Sequence, residues 1–154
     1  MNTITITFKN RKYKRFPRVR IYIDGTLVDT VHFKKESESV SIPVELDEGK
    51  HVLEIEHFDK TSRDINFVNG TLVADTKFTI ESITIDDFKF FDYLLTLCEF
   101  RANWTGTQKP TDFPDVIRQS RTVGPNGKWS LAFETPLGDW LIQRRINETK
   151  SYIS

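Results

Sequence analysis

Oxygen-bearing side chains gather at one place in the chain. Asp59, Asp64 and Asp75 bracket a polar connection that also holds Asn66 and Asn69. Oxygen donors on a flexible segment are what a hard cation such as Ca²⁺ takes as ligands, so these three aspartates are the candidate metal residues. Their spacing is not that of an EF-hand loop, and carboxylates that form turns and keep a loop soluble give the same pattern. The three histidines, His32, His51 and His57, offer less. His51 and His57 share strand parity, but no Glu or Cys completes a zinc-like set at ligand spacing. The chain has no GxSxG, P-loop or HExxH motif, and no pair of carboxylates stands in a context suited to general acid–base work. The expectation is a protein that is not an enzyme.

A second cluster is cationic. Lys9 to Arg20 holds seven basic side chains with Tyr13, Phe16 and Tyr22 interleaved or adjacent. That mixture suits phosphate contact with base stacking, and equally a solvated loop that docks on an acidic neighbour. The whole chain has zero formal net charge, where nucleic-acid binders carry a basic surplus. Protein contact is therefore the expected use, with Arg11, Lys12, Lys14 and Arg15 as interface residues. Trp104 lies among polar loop residues, where an indole stacks on a sugar ring, anchors an interface or packs under its own loop. It is the candidate carbohydrate-binding residue.

Neutrality hides a segregation. Residues 1–30 carry +5, residues 31–100 carry −8 and residues 101–154 carry +3, a distribution that suits pairing with copies of the chain or with a charged assembly, and equally an ordinary solvated mixed surface. The lone cysteine, Cys98, excludes an internal disulfide and sits in an apolar run, so a buried, inert thiol is expected. The first residues alternate polar and apolar and lack the h-region of a signal peptide. No apolar run reaches membrane-spanning length. Cytoplasmic synthesis is expected, without membrane contact.

The elements that must position these residues are strands. Ile4, Ile6 and Phe8 alternate with polar residues, as do Val19, Ile21 and Ile23, then Val40, Ile42 and Val44, then Trp129, Leu131 and Phe133. Asp24-Gly25 closes a tight hairpin, and Glu48-Gly49-Lys50 is a second turn. Phe78, Ile80, Ile83 and Ile85 change parity midway, which predicts a bulge. Residues 59–77 read as polar and irregular, and the aromatic run from Phe88 to Phe100 reads as strands. Residues 105–127 read as loop with one helical turn at 114–119, and residues 139–145 as a short terminal helix. Eight to ten short strands at near-regular spacing predict one all-β domain over residues 1–154. The expected form is a two-sheet β-sandwich of jelly-roll type, with its core over about residues 1–100 and a loop-rich C-terminal extension over about 101–154.

The stretch Val19–Asp87 resembles Ca²⁺-dependent carbohydrate-binding modules of the xylan-binding sandwich type. The resemblance is carried by Arg20-Ile21-Tyr22-Ile23-Asp24-Gly25, by Glu48-Gly49-Lys50-His51-Val52-Leu53-Glu54-Ile55, and by Asp75 through Asp87. It implies that Asp59 and Asp75 lie near calcium-binding loops. The last third, with Gly124-Pro125-Asn126-Gly127-Lys128-Trp129 and Asp139-Trp140-Leu141, is similar to small virion proteins of tailed phages. Together these resemblances imply a structural component of a phage virion, in a capsid decoration or in the tail, neck or fibre. It would contact other virion proteins and copies of itself. The alternative they imply is a Ca²⁺-dependent carbohydrate-binding module that adheres to a surface glycan.

Overall fold

The computed structural model describes residues 1–153, with side chains through residue 146. Two antiparallel sheets face each other across one core. The first sheet is built around β1 (Asn2–Arg11), flanked by β4 (Ser37–Val44) and β8 (Lys77–Ile85). The short strands β9 (Phe88–Lys89) and β12 (Thr122–Val123) also pair with β8. The second sheet runs in the order β11 (Ile117–Arg118), β10 (Glu99–Ala102), β13 (Gly127–Thr135), β5 (Gly49–His57), β2 (Arg18–Ile23) and β3 (Thr26–His32).

The alternation in sequence decides which side chains meet. Ile4, Ile6, Phe8, Ile42, Phe78, Ile80, Ile83 and Ile85 are buried on the first sheet, against Val19, Ile21, Leu53, Ile55, Trp129, Leu131 and Phe133 of the second. The predicted bulge is present. Thr7 pairs with Ser82 and Phe8 with Ile80, so Glu81 is the extra residue and points to solvent while both flanking runs stay inside. Asp24 and Gly25 both have positive φ in the β2–β3 turn, as two-residue hairpins require.

Several segments differ from the sequence expectation. Residues 59–77 are not irregular: a helical turn at Ser62–Asp64 is followed by a two-stranded ribbon, β6 (Ile65–Val68) and β7 (Thr71–Asp75). The Asn69-Gly70 turn closes that ribbon, again with two positive φ angles. The aromatic run is only part strand, because α1 (Asp92–Leu95) turns Leu94 and Leu95 together into the core. Residues 114–119 form no helical turn; Ile117 and Arg118 pair with β10 instead. The terminal helix is longer than expected, α2 (Leu137–Ile153), and Trp140 from its first turns packs on Phe90.

Loops do dominate residues 103–126, yet the same third of the chain supplies β13, which lies between β10 and β5 and pairs with β5 along nine residues. Gly127 opens that strand with φ 149°, and a Cβ there would fall 2.2 Å from the Arg101 carbonyl oxygen. Only glycine fits so close a crossing. Cys98 is buried as expected: its thiol donates to the Ser120 carbonyl, which also accepts from the Trp129 indole N–H, and burial pushes the thiol pKa up.

Candidate functional site

Strand β5 ends at His57 beside several connections: residues 12–17 before β2, residues 58–64 after β5, Asp75-Thr76 before β8, and the loops at 103–106 and 124–126. Buried hydrogen bonds hold these segments together. The Thr76 hydroxyl donates to the carbonyls of Tyr13 and Arg15 and accepts from the Tyr13 N–H, pinning the basic segment to the start of β8. Asn126 accepts from the Lys60 N–H and donates to the carbonyls of Lys60 and Thr105, tying three loops to one amide.

Lys60 is only 4% exposed. Its ammonium donates to Asp75 Oδ1 and, at 2.7 Å, to the Gly124 carbonyl. Burial pushes the Lys60 pKa down, and the Asp75 and Asp64 carboxylates offset only part of that. Arg15 grips Asp64 as a fork, Nε to Oδ1 and Nη2 to Oδ2, both at 2.9 Å. Asp64 also caps its own helical turn by accepting from the Thr61 N–H. Burial alone would raise the Asp64 pKa; the Arg15 hydrogen bonds, the Thr61 N–H and the nearby cations outweigh it and hold the carboxyl below its usual range. Asp59 accepts from Arg18 at 2.5 Å and sits 3.4 Å from Arg15.

Asp59, Asp64 and Asp75 therefore share one end of the sandwich but not one point. Each faces a side-chain cation of its own, and among the described residues no group of three or more His, Cys, Asp or Glu is placed to hold a metal ion. A divalent ion at Asp75 would have to displace Lys60 and strand its buried positive charge, and one at Asp64 would have to break the Arg15 fork, which is costly. The donor set does not fit calcium. Of the expected interface residues, Arg11, Lys12 and Lys14 are exposed, but Arg15 is committed to Asp64 and Asp59 inside the chain. Trp104 is half-buried and packs edge-on against Phe113, with ring centroids 4.7 Å apart.

Beside this ion-paired cluster lies a groove of about 520 Å³, lined among others by Arg20, Glu56, Phe58, Asn103, Thr105 and Asn126. The Arg20 guanidinium lies over Phe58, 3.9 Å from the ring centre, and pairs with Glu56 at 3.3 Å. Tyr22 also donates to Glu56. These contacts present an acid and a base to the groove, and the exposed Asn103 amide lines it as well. None of these residues stands out in sequence, because strands β2 and β5 and two distant loops bring them together. A signal for the helical turn was available: Thr61 and Asp64 have the spacing of a capping box.

No family model matches the sequence, and no curated protein matches it. Solved structures do match in shape. A vCBM60 module in complex with galactobiose superposes with a TM-score of 0.55 over 84% of this chain and 96% of that one, at 13% identity. A selenomethionine form of vCBM60 matches with TM-score 0.55 over 85% and 90% of the two chains, at 14% identity. That structure is described as part of an evolutionary link by circular permutation between two families of calcium-dependent carbohydrate-binding modules. What this chain shares with both is the sandwich fold.

Proposed function

We propose that this protein is a non-catalytic glycan-binding module whose sugar site is the groove around Arg20, Glu56, Asn103 and Thr105. The observation that supports the reading most is the fold likeness, over most of both chains, to a module solved with galactobiose. The groove suits a sugar, since a few convergent polar groups, held in place by packing, are what orient a small ligand. Paired hydrogen-bonding groups such as Arg20 and Glu56 match vicinal hydroxyls, and Phe58 fixes the guanidinium from below. In this reading side-chain cations at Asp59, Asp64 and Asp75 brace the loops. Probing a glycan array with the purified chain tests it: Arg20→Ala and Asn103→Ala should lose the binding of the wild type. A folded wild type that binds no glycan would overturn it.

A place in a tailed-phage particle is the second reading. It is supported by the sequence resemblance of residues 124–141 and by the charge segregation along the chain. Mass spectrometry of purified particles should then find the chain at fixed copy number; absence from such particles would end that reading.

A further inference from the structure

The β6–β7 ribbon is built unlike the rest of the molecule. Phe67, Val68, Leu72 and Val73 are 49–60% exposed. Phe67 and Val68 are neighbours on β6 and point to opposite faces, so both faces of the ribbon show apolar side chains; on β7 the pairing shifts, leaving Val73 as the extra residue of a bulge between Leu72 and Ala74. Neither strand has a second partner, which leaves one backbone edge of each unpaired. An apolar ribbon with an open edge is a template for another strand.

What the ribbon faces defines the partner. Leu72, Val73 and Ala74 of β7, with Phe16, wall a groove of about 760 Å³, and Lys9, Arg11, Lys12 and Lys77 also line it. None of these four bases has a carboxylate partner among the described residues. Of the acids that line the groove, Asp75 is already taken by Lys60, which leaves Glu36. The groove thus joins apolar side chains to a surplus of positive charge, with Lys12 lying over the Phe16 ring at 5.1 Å.

We infer that this groove receives an extended, acidic segment of a partner protein, which adds as a strand along the open edge of β7. Strand addition pairs the free backbone groups, while alternate side chains place carboxylates on Arg11 and Lys12 and apolar groups on Leu72, Val73 and Phe16. A lipid surface suits the charge but not the backbone: an unpaired strand edge is not tolerated in hydrocarbon. This groove shares no lining residue with the glycan groove, so the two sites stand or fall separately.

The decisive reagents are a fluorescein-labelled peptide of alternating Glu and Val, its Lys-for-Glu counterpart, a version N-methylated at alternate amides, and phosphatidylserine vesicles. Fluorescence anisotropy should show the acidic peptide binding to the full chain, weakened at least about tenfold by high salt or by Arg11→Ser with Lys12→Ser. The lysine and N-methylated peptides should bind at least about tenfold more weakly, and amide resonances of residues 71–75 should shift only with the acidic peptide. Equal binding of the lysine peptide, no loss on N-methylation, or binding of vesicles without binding of the acidic peptide would each overturn the inference. Self-association that the Arg11→Ser, Lys12→Ser variant abolishes would overturn it too, by making a second copy the occupant.

Discussion

His51 and His57 lie on the same strand, on the same buried face, at opposite ends of the sandwich, and their surroundings push their charge in opposite directions. His51 places Nδ1 2.7 Å from an Asp24 carboxylate oxygen and Nε2 2.5 Å from the Asp47 carbonyl. Burial alone would lower its pKa, but acceptors on both nitrogens win and raise it. Among the described residues His57 makes no ion pair with a carboxylate, and it lies near the Lys60 ammonium. Burial, then that charge, depress its pKa to about 3, so it is neutral. One end is closed by a single imidazole bridging two turns; the other is closed by lysine and arginine against three aspartates. The neighbours of each imidazole, rather than its position on the strand, decide which way its charge is pushed.

The largest effect expected from breaking this arrangement is at the crowded end. Lys60→Met leaves the mostly buried Asp75 carboxylate without its cation and should cost about 3–5 kcal/mol in urea unfolding. Much of that loss should return in the double variant with Asp75→Asn. If Lys60→Met is as stable as wild type, the cation at that end is not structural.

The two histidines should bend the pH dependence of stability in opposite directions. The unfolded chain binds protons at His57 that the folded chain refuses. Stability is therefore lost as pH falls from about 6.5, the ordinary histidine value, toward about 3, at about 1.4 kcal/mol per pH unit within that window. His57→Gln should flatten the slope. His51 works the other way. Its contribution is present below about pH 6.5 and is lost as pH rises through its raised folded value. His51→Ala should remove the alkaline decline and cost about 1.5–3 kcal/mol at about pH 5–6, where Asp24 is ionised, the worth of a charge-assisted hydrogen bond. Parallel pH profiles for the two variants would refute the contrast.

The smallest effects are expected where the sequence drew attention first. Calcium should not raise the melting temperature, because Asp59, Asp64 and Asp75 already hold cations. Arg11→Ser with Lys12→Ser should change folding stability by no more than about 0.5 kcal/mol, since both side chains are exposed and make no ion pair among the described residues.

Much of the sandwich was legible because strand alternation is a local signal. Ile4-Ile6-Phe8 and Trp129-Leu131-Phe133 report their buried face directly, and the parity change between Ile80 and Ile83 reports the bulge. The run from Phe88 to Phe100 was not, since aromatic and leucine side chains fill a helical turn or a strand equally well. The β6–β7 ribbon carried its signal in Asn69-Gly70 between two apolar pairs, masked by polar flanks. The ion-paired end was not legible at all: Lys60 meets Asp75, Gly124 and Asn126 only through the register of distant strands. The aspartates stand out in the sequence as a set, but the cations that pair with them do not.

A glycan groove at the His57 end, braced by the chain's own cations, should need no added metal. Isothermal titration of the chain in EDTA, with a glycan selected from the array, tests this most directly. The expected result is saturable binding equal to that in calcium and lost in Arg20→Ala. Absence of saturable binding, or binding that needs calcium, would contradict it.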